Sequence, residues 1–129
     1  MKSKLLIVAL SLLPFFSIGQ NQEAKPVLRV GSGTSRIWAP EFRSIESVSV
    51  TLSDFSKSNY TVKEFTVFVL SNETKTYKTV KNIGSKLNDE IKHLFFTLKS
   101  NDSILITDIS AKDSFEKTIY LDDRFFRVR

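Results

Sequence analysis

The side chains best suited to acid–base or metal chemistry are few in this sequence. His93 is its only histidine, and there is no cysteine. On a helix that begins near Leu87, a turn of about 100° per residue places His93 on the polar side, one turn after Asp89. We expect an exposed imidazole paired with Asp89. A zinc site, or a base that activates a serine, would need partners that this sequence does not supply nearby.

Acidic pairs occur at Asp89-Glu90 and Asp122-Asp123. Two carboxylates can hydrolyse a glycosidic bond, but one small domain leaves little room for both a core and a substrate cleft. Asp122-Asp123 therefore predicts a turn, and no calcium-loop pattern of about twelve residues is present. Residues 31–35 lack the lysine and the following helix of a phosphate loop. These patterns predict a chain that is not an enzyme and that uses no metal or other cofactor.

Exposed aromatic and basic residues are better candidates for a binding role. Phe96 lies roughly opposite the apolar stripe of the predicted helix, near Lys92 and Lys99. Such a residue is either buried between two layers or presented to a partner. Trp38, in a predicted loop between Arg36 and Pro40, is either a binding anchor or a ring folded over the edge of a sheet.

The C-terminal segment combines basic and aromatic residues, because Arg124, Arg127 and Arg129 flank Phe125 and Phe126. This pattern indicates either a contact with an acidic surface or the solvated side of a last strand. The sequence thus proposes five partner-binding residues: Trp38, Lys92, Phe96, Arg124 and Arg127.

The first residues have the pattern of a secretory signal peptide. Lys2 and Lys4 precede an apolar run over 5–16, and small residues at Ser17 and Gly19 form a cleavage site. The run is about twelve residues, shorter than the roughly 20 that span a bilayer. We therefore predict a cleavable signal peptide over 1–19 and one domain over 20–129. Without cysteine, the exported chain has no disulfide and no lipid-anchored N-terminus.

Composition limits the possible functions of the remaining domain and indicates the kind of core it has. The full chain has a net charge of +5, of which Lys2 and Lys4 contribute two, leaving +3 after cleavage. This charge is too mild and too dispersed to indicate nucleic-acid binding. No other apolar run approaches transmembrane length. Eleven phenylalanines beside one tryptophan and one methionine predict a core of phenylalanine and aliphatic residues.

Apolar periodicity predicts several strands and one helix. The strands fall over 26–30, 45–52, 60–70, 74–80, 104–109, 115–121 and 124–129. The second half of the 60–70 strand is apolar on both faces, which is typical of a central strand covered on both sides. Lys63-Glu64 interrupts its alternation and predicts a bulge. Leu87, Ile91 and Leu94 define one packed α-helix near residues 86–99. The fold class is therefore mainly antiparallel β, α+β and sandwich-like, with that one helix.

Several segments together resemble a known family, the C-terminal periplasmic domain of the gliding-motility protein GldM. The segments are Pro26–Gly33, Val48–Phe55, Tyr60–Val67, the helix end at Leu98-Lys99, and Ser103–Lys112. They match its opening, its short strand ending near a phenylalanine, its aromatic strand and its helix–turn–strand ending. Two turns differ, because Asn101-Asp102 and Asp113-Ser114 stand where the family has glycine. Asn or Asp can replace glycine at a left-handed position.

The resemblance implies an exported relative from a gliding bacterium of the Bacteroidota, linked to gliding motility and type IX secretion. It implies protein–protein recognition without motor activity, since the proton-coupled transmembrane helix of GldM has no counterpart here. We expect a periplasmic or extracellular protein without a lipid anchor, whose partner is another envelope or secreted protein. Nucleic acid and a mature membrane span are not expected. The alternative is a small secreted binder of an apolar ligand, with the Phe-rich interior as its pocket.

Overall fold

The computed structural model describes residues 25–32, 36–52 and 58–129. The predicted signal peptide over 1–19 lies outside these ranges, and the segments 31–35 and Val48–Phe55 lie partly outside them. Within them the chain forms eight strands and two helices. In order these are β1 (Pro26–Arg29), β2 (Arg36–Ile37), α1 (Ala39–Ser44), β3 (Ser49–Leu52), β4 (Thr61–Leu70), β5 (Tyr77–Ile83), α2 (Asp89–Phe96), β6 (Ser103–Lys112), β7 (Thr118–Leu121) and β8 (Arg124–Val128).

The central strands β4 and β6 belong to a six-stranded sheet. Five of its strands follow the order β2-β8-β6-β4-β5, and the sixth, β7, also pairs with β6. One side of β6 pairs with β4 along its whole length. Its other side pairs first with β8, over 103–106, and then with β7, over 109–112. All these pairings are antiparallel except that of β2 with β8, which is parallel. Strands β1 and β3 form a separate antiparallel pair. The predicted, mainly antiparallel β architecture is confirmed.

The predicted bulge in β4 is present. The register between β4 and β6 shifts between Val62 and Glu64, and again between Glu64 and Thr66. The second shift matches Asp108 on β6, whose φ is 51°. Aspartate tolerates this left-handed conformation better than most residues do. Asp108 thus gives β6 an extra residue where the strand changes its partner from β8 to β7.

The second layer consists of both helices and the small β1–β3 sheet, which cover one face of the large sheet. Fully or nearly fully buried side chains from the two layers form one core: Leu28, Phe42, Val50, Ile91 and Phe95 from the covering layer, and Phe65, Val67, Ile106 and Phe126 from the sheet. The Phe42 ring lies edge-on to Phe95 at 5.2 Å and to Phe126 at 6.3 Å between centroids. This packing agrees with the predicted phenylalanine-rich core and gives a sandwich-like arrangement.

Helix α2 is shorter than the segment predicted near 86–99. Asn88 caps its N-terminus, accepting a hydrogen bond from the Ile91 backbone N–H at 2.9 Å. The residues before it continue β5 up to Ile83, because pairing with β4 extends to the Glu64–Ile83 position. Gly84, at φ 85°, then turns the chain. Leu87, predicted on the helical stripe, is buried from the preceding turn instead.

A second helix, α1, occupies a segment that the sequence analysis assigned to a loop. Its six residues include Pro40 near the start, Glu41 in the first turn and Arg43 in the last. This order suits the fixed φ of proline and the charges of the helix ends. Phe42, on its inner side, anchors α1 in the core. These local signals were present in the sequence, but the helix is too short for apolar periodicity to reveal it.

Buried polar side chains fix two of the connections. The Asn82 amide donates to the Gly84 and Lys86 carbonyls at 3.0 Å and accepts from the Asn88 N–H at 2.7 Å. The Asp102 carboxylate accepts from the Asn72 and Lys99 N–H groups, both at 2.9 Å. The residue before it, Asn101, has φ 75°. Asparagine therefore occupies a left-handed position, as its replacement of the family's glycine predicted.

Candidate functional site

The residues considered for catalysis do not converge in the described part of the chain. His93 is exposed on α2, as predicted, but among the described residues no ion pair joins it to Asp89. With Lys78, Asp89 and Glu90 it helps to line an open groove of about 570 Å³ beside β5. Asp122, in the β7–β8 connection, forms an ion pair with Lys25 at 3.1 Å. Over the described ranges, no group of three or more His, Cys, Asp or Glu side chains is placed to hold a metal ion.

The uncovered face of the six-stranded sheet carries a different set of residues. Strand β4 is central, as predicted, but it is not covered on both sides. Its inner residues Phe65 and Val67 are buried, whereas the alternate residues Phe68 and Leu70 face away from the core. The prediction of two covered faces is wrong, because both helices and the small sheet pack on the same side.

Strand register gathers apolar residues into two adjacent rows on this face. Phe68 is opposite Leu105, which in turn is opposite Phe125 on β8. In the next row Leu70 lies between Tyr77 and Ser103. We call the six residues of these rows the open-face patch: Phe68, Leu70, Tyr77, Ser103, Leu105 and Phe125.

The open-face patch is accessible and concave. Tyr77 is 68% exposed, Phe125 51% and Leu70 44%. The six residues line an open groove of about 440 Å³. The Phe68 and Tyr77 rings lie 6.4 Å apart and define one end of it. Since antiparallel sheets with one solvated face usually alternate apolar and polar residues, two adjacent apolar rows need an explanation.

Arginines border this patch on its β8 side. Arg127 is opposite Ser103 on β6 and opposite Arg36 on the parallel strand β2. Both arginines are exposed. Two residues after Arg127, just past the end of β8, the Arg129 guanidinium lies 4.8 Å from the centroid of the exposed Trp38 ring. The structure therefore brings Trp38 and Arg127, two of the five predicted residues, to the border of the open-face patch.

Arg124 has a different environment from Arg127, because alternate residues of β8 face opposite sides. It is partly buried, donates a hydrogen bond to the Leu28 carbonyl at 2.7 Å, and lies 5.1 Å from the Phe126 ring. Burial lowers the pKa of its guanidinium. The contact joins the small β1–β3 sheet to the large one. The three C-terminal arginines therefore do not share one surface.

Phe96 and Lys92 lie on the covering layer, away from the open-face patch. Phe96 is exposed at the end of α2, with the Arg43 guanidinium 5.6 Å from its ring centroid. Arg43 also donates to the Phe96 carbonyl at 3.2 Å, which connects the two helices. Lys92 bonds to Glu46 at 2.7 Å. This hydrogen bond raises the pKa of Lys92 and lowers that of Glu46.

Sequence reasoning missed most of the open-face patch. The available signal was the apolar pair Phe68 and Leu70 on the second face of β4, which was interpreted as burial. The remaining members come from three other strands, and only the register places them together. Alternation within one strand identifies a face, but it does not say whether that face is covered.

Comparison with known proteins identifies the family. A family profile described as the GldM C-terminal domain matches residues 17–120, which include most of the described fold. No curated protein matches the chain. Among the described residues, no helix is both long and apolar enough to cross a membrane. With four fifths of its residues matched by that profile, the chain belongs to the GldM C-terminal domain family.

Proposed function

We propose that this chain is an exported, non-catalytic protein–protein interaction module and that it binds its partner through the open-face patch. The observation that carries the proposal is the pair of apolar rows on an uncovered sheet face. Contiguous exposed apolar residues of this kind are typical of interaction sites. Tyrosine, phenylalanine and arginine are also the residues enriched in protein interfaces, and all three types occur at this patch or its border.

The patch is a local feature and does not extend over the whole face. The row beyond Phe68 is polar, with Thr66 opposite Lys81 on one side and Thr107 on the other. Lys81 also pairs with Glu64 at 3.4 Å. The outer face thus changes from polar to apolar along the strands. This arrangement resembles an apolar interface centre with a polar rim.

Family membership supports the biological setting of the proposal. A GldM-type C-terminal domain suggests a component linked to gliding motility and type IX secretion. With the predicted signal peptide over 1–19, the chain would act in the periplasm or outside the cell, and its partner would be another envelope or secreted protein. We propose recognition without motor activity.

The alternative function, binding of a small apolar ligand, has one supporting observation. The open-face groove of about 440 Å³ is within the size range of ligand sites. The predicted interior pocket is not supported by the packing, since Phe42, Phe95 and Phe126 fill this part of the core with direct ring contacts. An open groove on a sheet covers less of a small molecule than a closed site does, which favours the protein partner.

Crosslinked affinity capture from the native host's envelope tests the proposal. The test variant carries Tyr77→Asp and Phe125→Asp, and the matched control carries Tyr120→Asp and Phe115→Asp. Tyr120 and Phe115 are 81% and 87% exposed and lie outside the patch. We expect the test variant to lose at least about tenfold in partner recovery, because buried aromatic anchors dominate binding energy. The control should bind like the wild type.

Two results of this experiment would count against the proposal. Equal recovery of the partner by both double variants would show that the partner does not bind the open-face patch. A lipid that co-purifies in place of any protein would favour the apolar-ligand alternative. Phe96, near Lys92 and Lys99, stays a second proposed contact surface, and Phe96→Asp tests it in parallel: undiminished recovery would eliminate that surface.

A further inference from the structure

The arginines beside the open-face patch restrict the chemistry of the partner. Parallel pairing of β2 with β8 places Arg36 next to Arg127. Arg127 also lies two residues along β8 from Phe125, which is opposite Leu105. The cationic border is therefore continuous with the apolar rows, within reach of a segment lying across them.

The charged residues differ between the β5 side and the β8 side of this face. On the edge strand β5, Lys81 forms an ion pair with Glu64. The positions next to Phe68 and in the row of Lys81 are the uncharged Thr79, Thr66 and Thr107. On the arginine side, Arg129 adds a third guanidinium, stacked on Trp38. A partner that crosses the patch thus meets the exposed guanidinium of Arg127 at its β8 side.

We propose that the partner is a protein segment whose apolar side chains are followed by carboxylates, with the carboxylates over Arg127. This inference rests on the proposed function. Guanidinium groups bind carboxylates with two parallel hydrogen bonds, which fixes orientation as well as charge. The apolar side chains would occupy the groove of about 440 Å³.

A segment of protein fits this site better than an anionic membrane surface does. The patch is a groove, and its aromatic residues Phe125 and Tyr77 line it without projecting from the protein as a wedge would. A groove accepts projecting side chains, whereas peripheral membrane binding requires apolar groups that project from the protein. Binding to an anionic membrane is therefore the alternative that the experiment must distinguish from binding to a protein segment.

Selection from a displayed library of random peptides of about twelve residues tests the partner chemistry, with the mature chain as bait. We expect enriched peptides to combine Phe, Leu or Tyr with Asp or Glu. Arg127→Glu should reduce the affinity for these peptides about three- to tenfold at low salt, a change typical of one exposed charge pair and its reversal. The matched control Lys117→Glu changes the net charge equally in the exposed β6–β7 turn, outside the patch. It should leave the affinity unchanged.

The outcomes separate this inference from the proposed function. Selected peptides that require Tyr77 and Phe125 but show no acidic excess, or that bind Arg127→Glu as tightly as the wild type, overturn the charge inference alone. If no peptide is enriched, or if binding survives Tyr77→Asp with Phe125→Asp, both proposals fail. Binding to phosphatidylglycerol vesicles that is lost in Arg127→Glu, without peptide binding, would assign the surface to a membrane and overturn the inference.

Discussion

Replacing Phe42 with alanine is expected to lower the free energy of unfolding by about 3–5 kcal/mol, the usual cost of deleting a buried phenylalanine ring. Phe42 is 1% exposed and comes from the short helix α1. Its ring contacts Phe95 of α2 and Phe126 of β8, so it joins both helices to the large sheet. A cavity at this point would loosen the whole covering layer, because a helix of six residues has little stability of its own.

Urea unfolding followed by circular dichroism measures this change. Phe115→Ala is the matched control, since it deletes the same ring from a turn position that is 87% exposed. The control should change the free energy of unfolding by less than about 0.5 kcal/mol. Similar losses for the two variants would contradict the packing described for α1.

Replacing Asn82 with alanine should cost about 3 kcal/mol of unfolding free energy, because it leaves buried polar groups without partners. The Asn82 side chain is fully buried and bonds to the Gly84 and Lys86 carbonyls and to the Asn88 N–H. Asn88 in turn caps α2. Losing the amide therefore disturbs the turn between β5 and α2 and the start of the helix.

The control for Asn82 is its neighbour Lys81, which is exposed on the same strand. Lys81→Ala removes only a surface ion pair with Glu64, which is worth less than about 1 kcal/mol. Chemical denaturation of the two variants under identical conditions gives the comparison. If Asn82→Ala is no more destabilising than Lys81→Ala, the hydrogen bonds described for this turn do not hold it together.

Local patterns predicted the β-rich fold and the family well, and they failed where packing between layers decides the outcome. Apolar residues on both faces of the 60–70 segment predicted the central position of β4, and the break in alternation at Lys63-Glu64 predicted its bulge. The helix near 86–99 proved shorter, because Asn88 caps it after the turn that begins at Gly84, and Thr97 ends it. Helix α1 went unrecognised, since six residues show no helical period.

The candidate site was harder to predict, for a reason of geometry. Trp38 and Arg127 were proposed from residue type, and the structure places both at the border of the open-face patch. The patch itself depends on the register of four strands and on the fact that α1 and α2 cover the same face. Neither fact is encoded in any single segment. Arg124, of the same type as Arg127, contacts Leu28 because strand alternation turns it inward.

Site-specific photocrosslinking in the native host tests whether the partner binds the open-face patch. A benzoyl-phenylalanine would replace, in separate strains, Phe125 in the open-face patch, Phe96 at the end of α2, and Phe115 in the β6–β7 turn. All three are exposed phenylalanines, so the probe changes each site similarly. We expect a discrete protein adduct from position 125 and none from position 115. An adduct from 96 or 115 without one from 125, or equal adducts from all three positions, would contradict binding through the open-face patch.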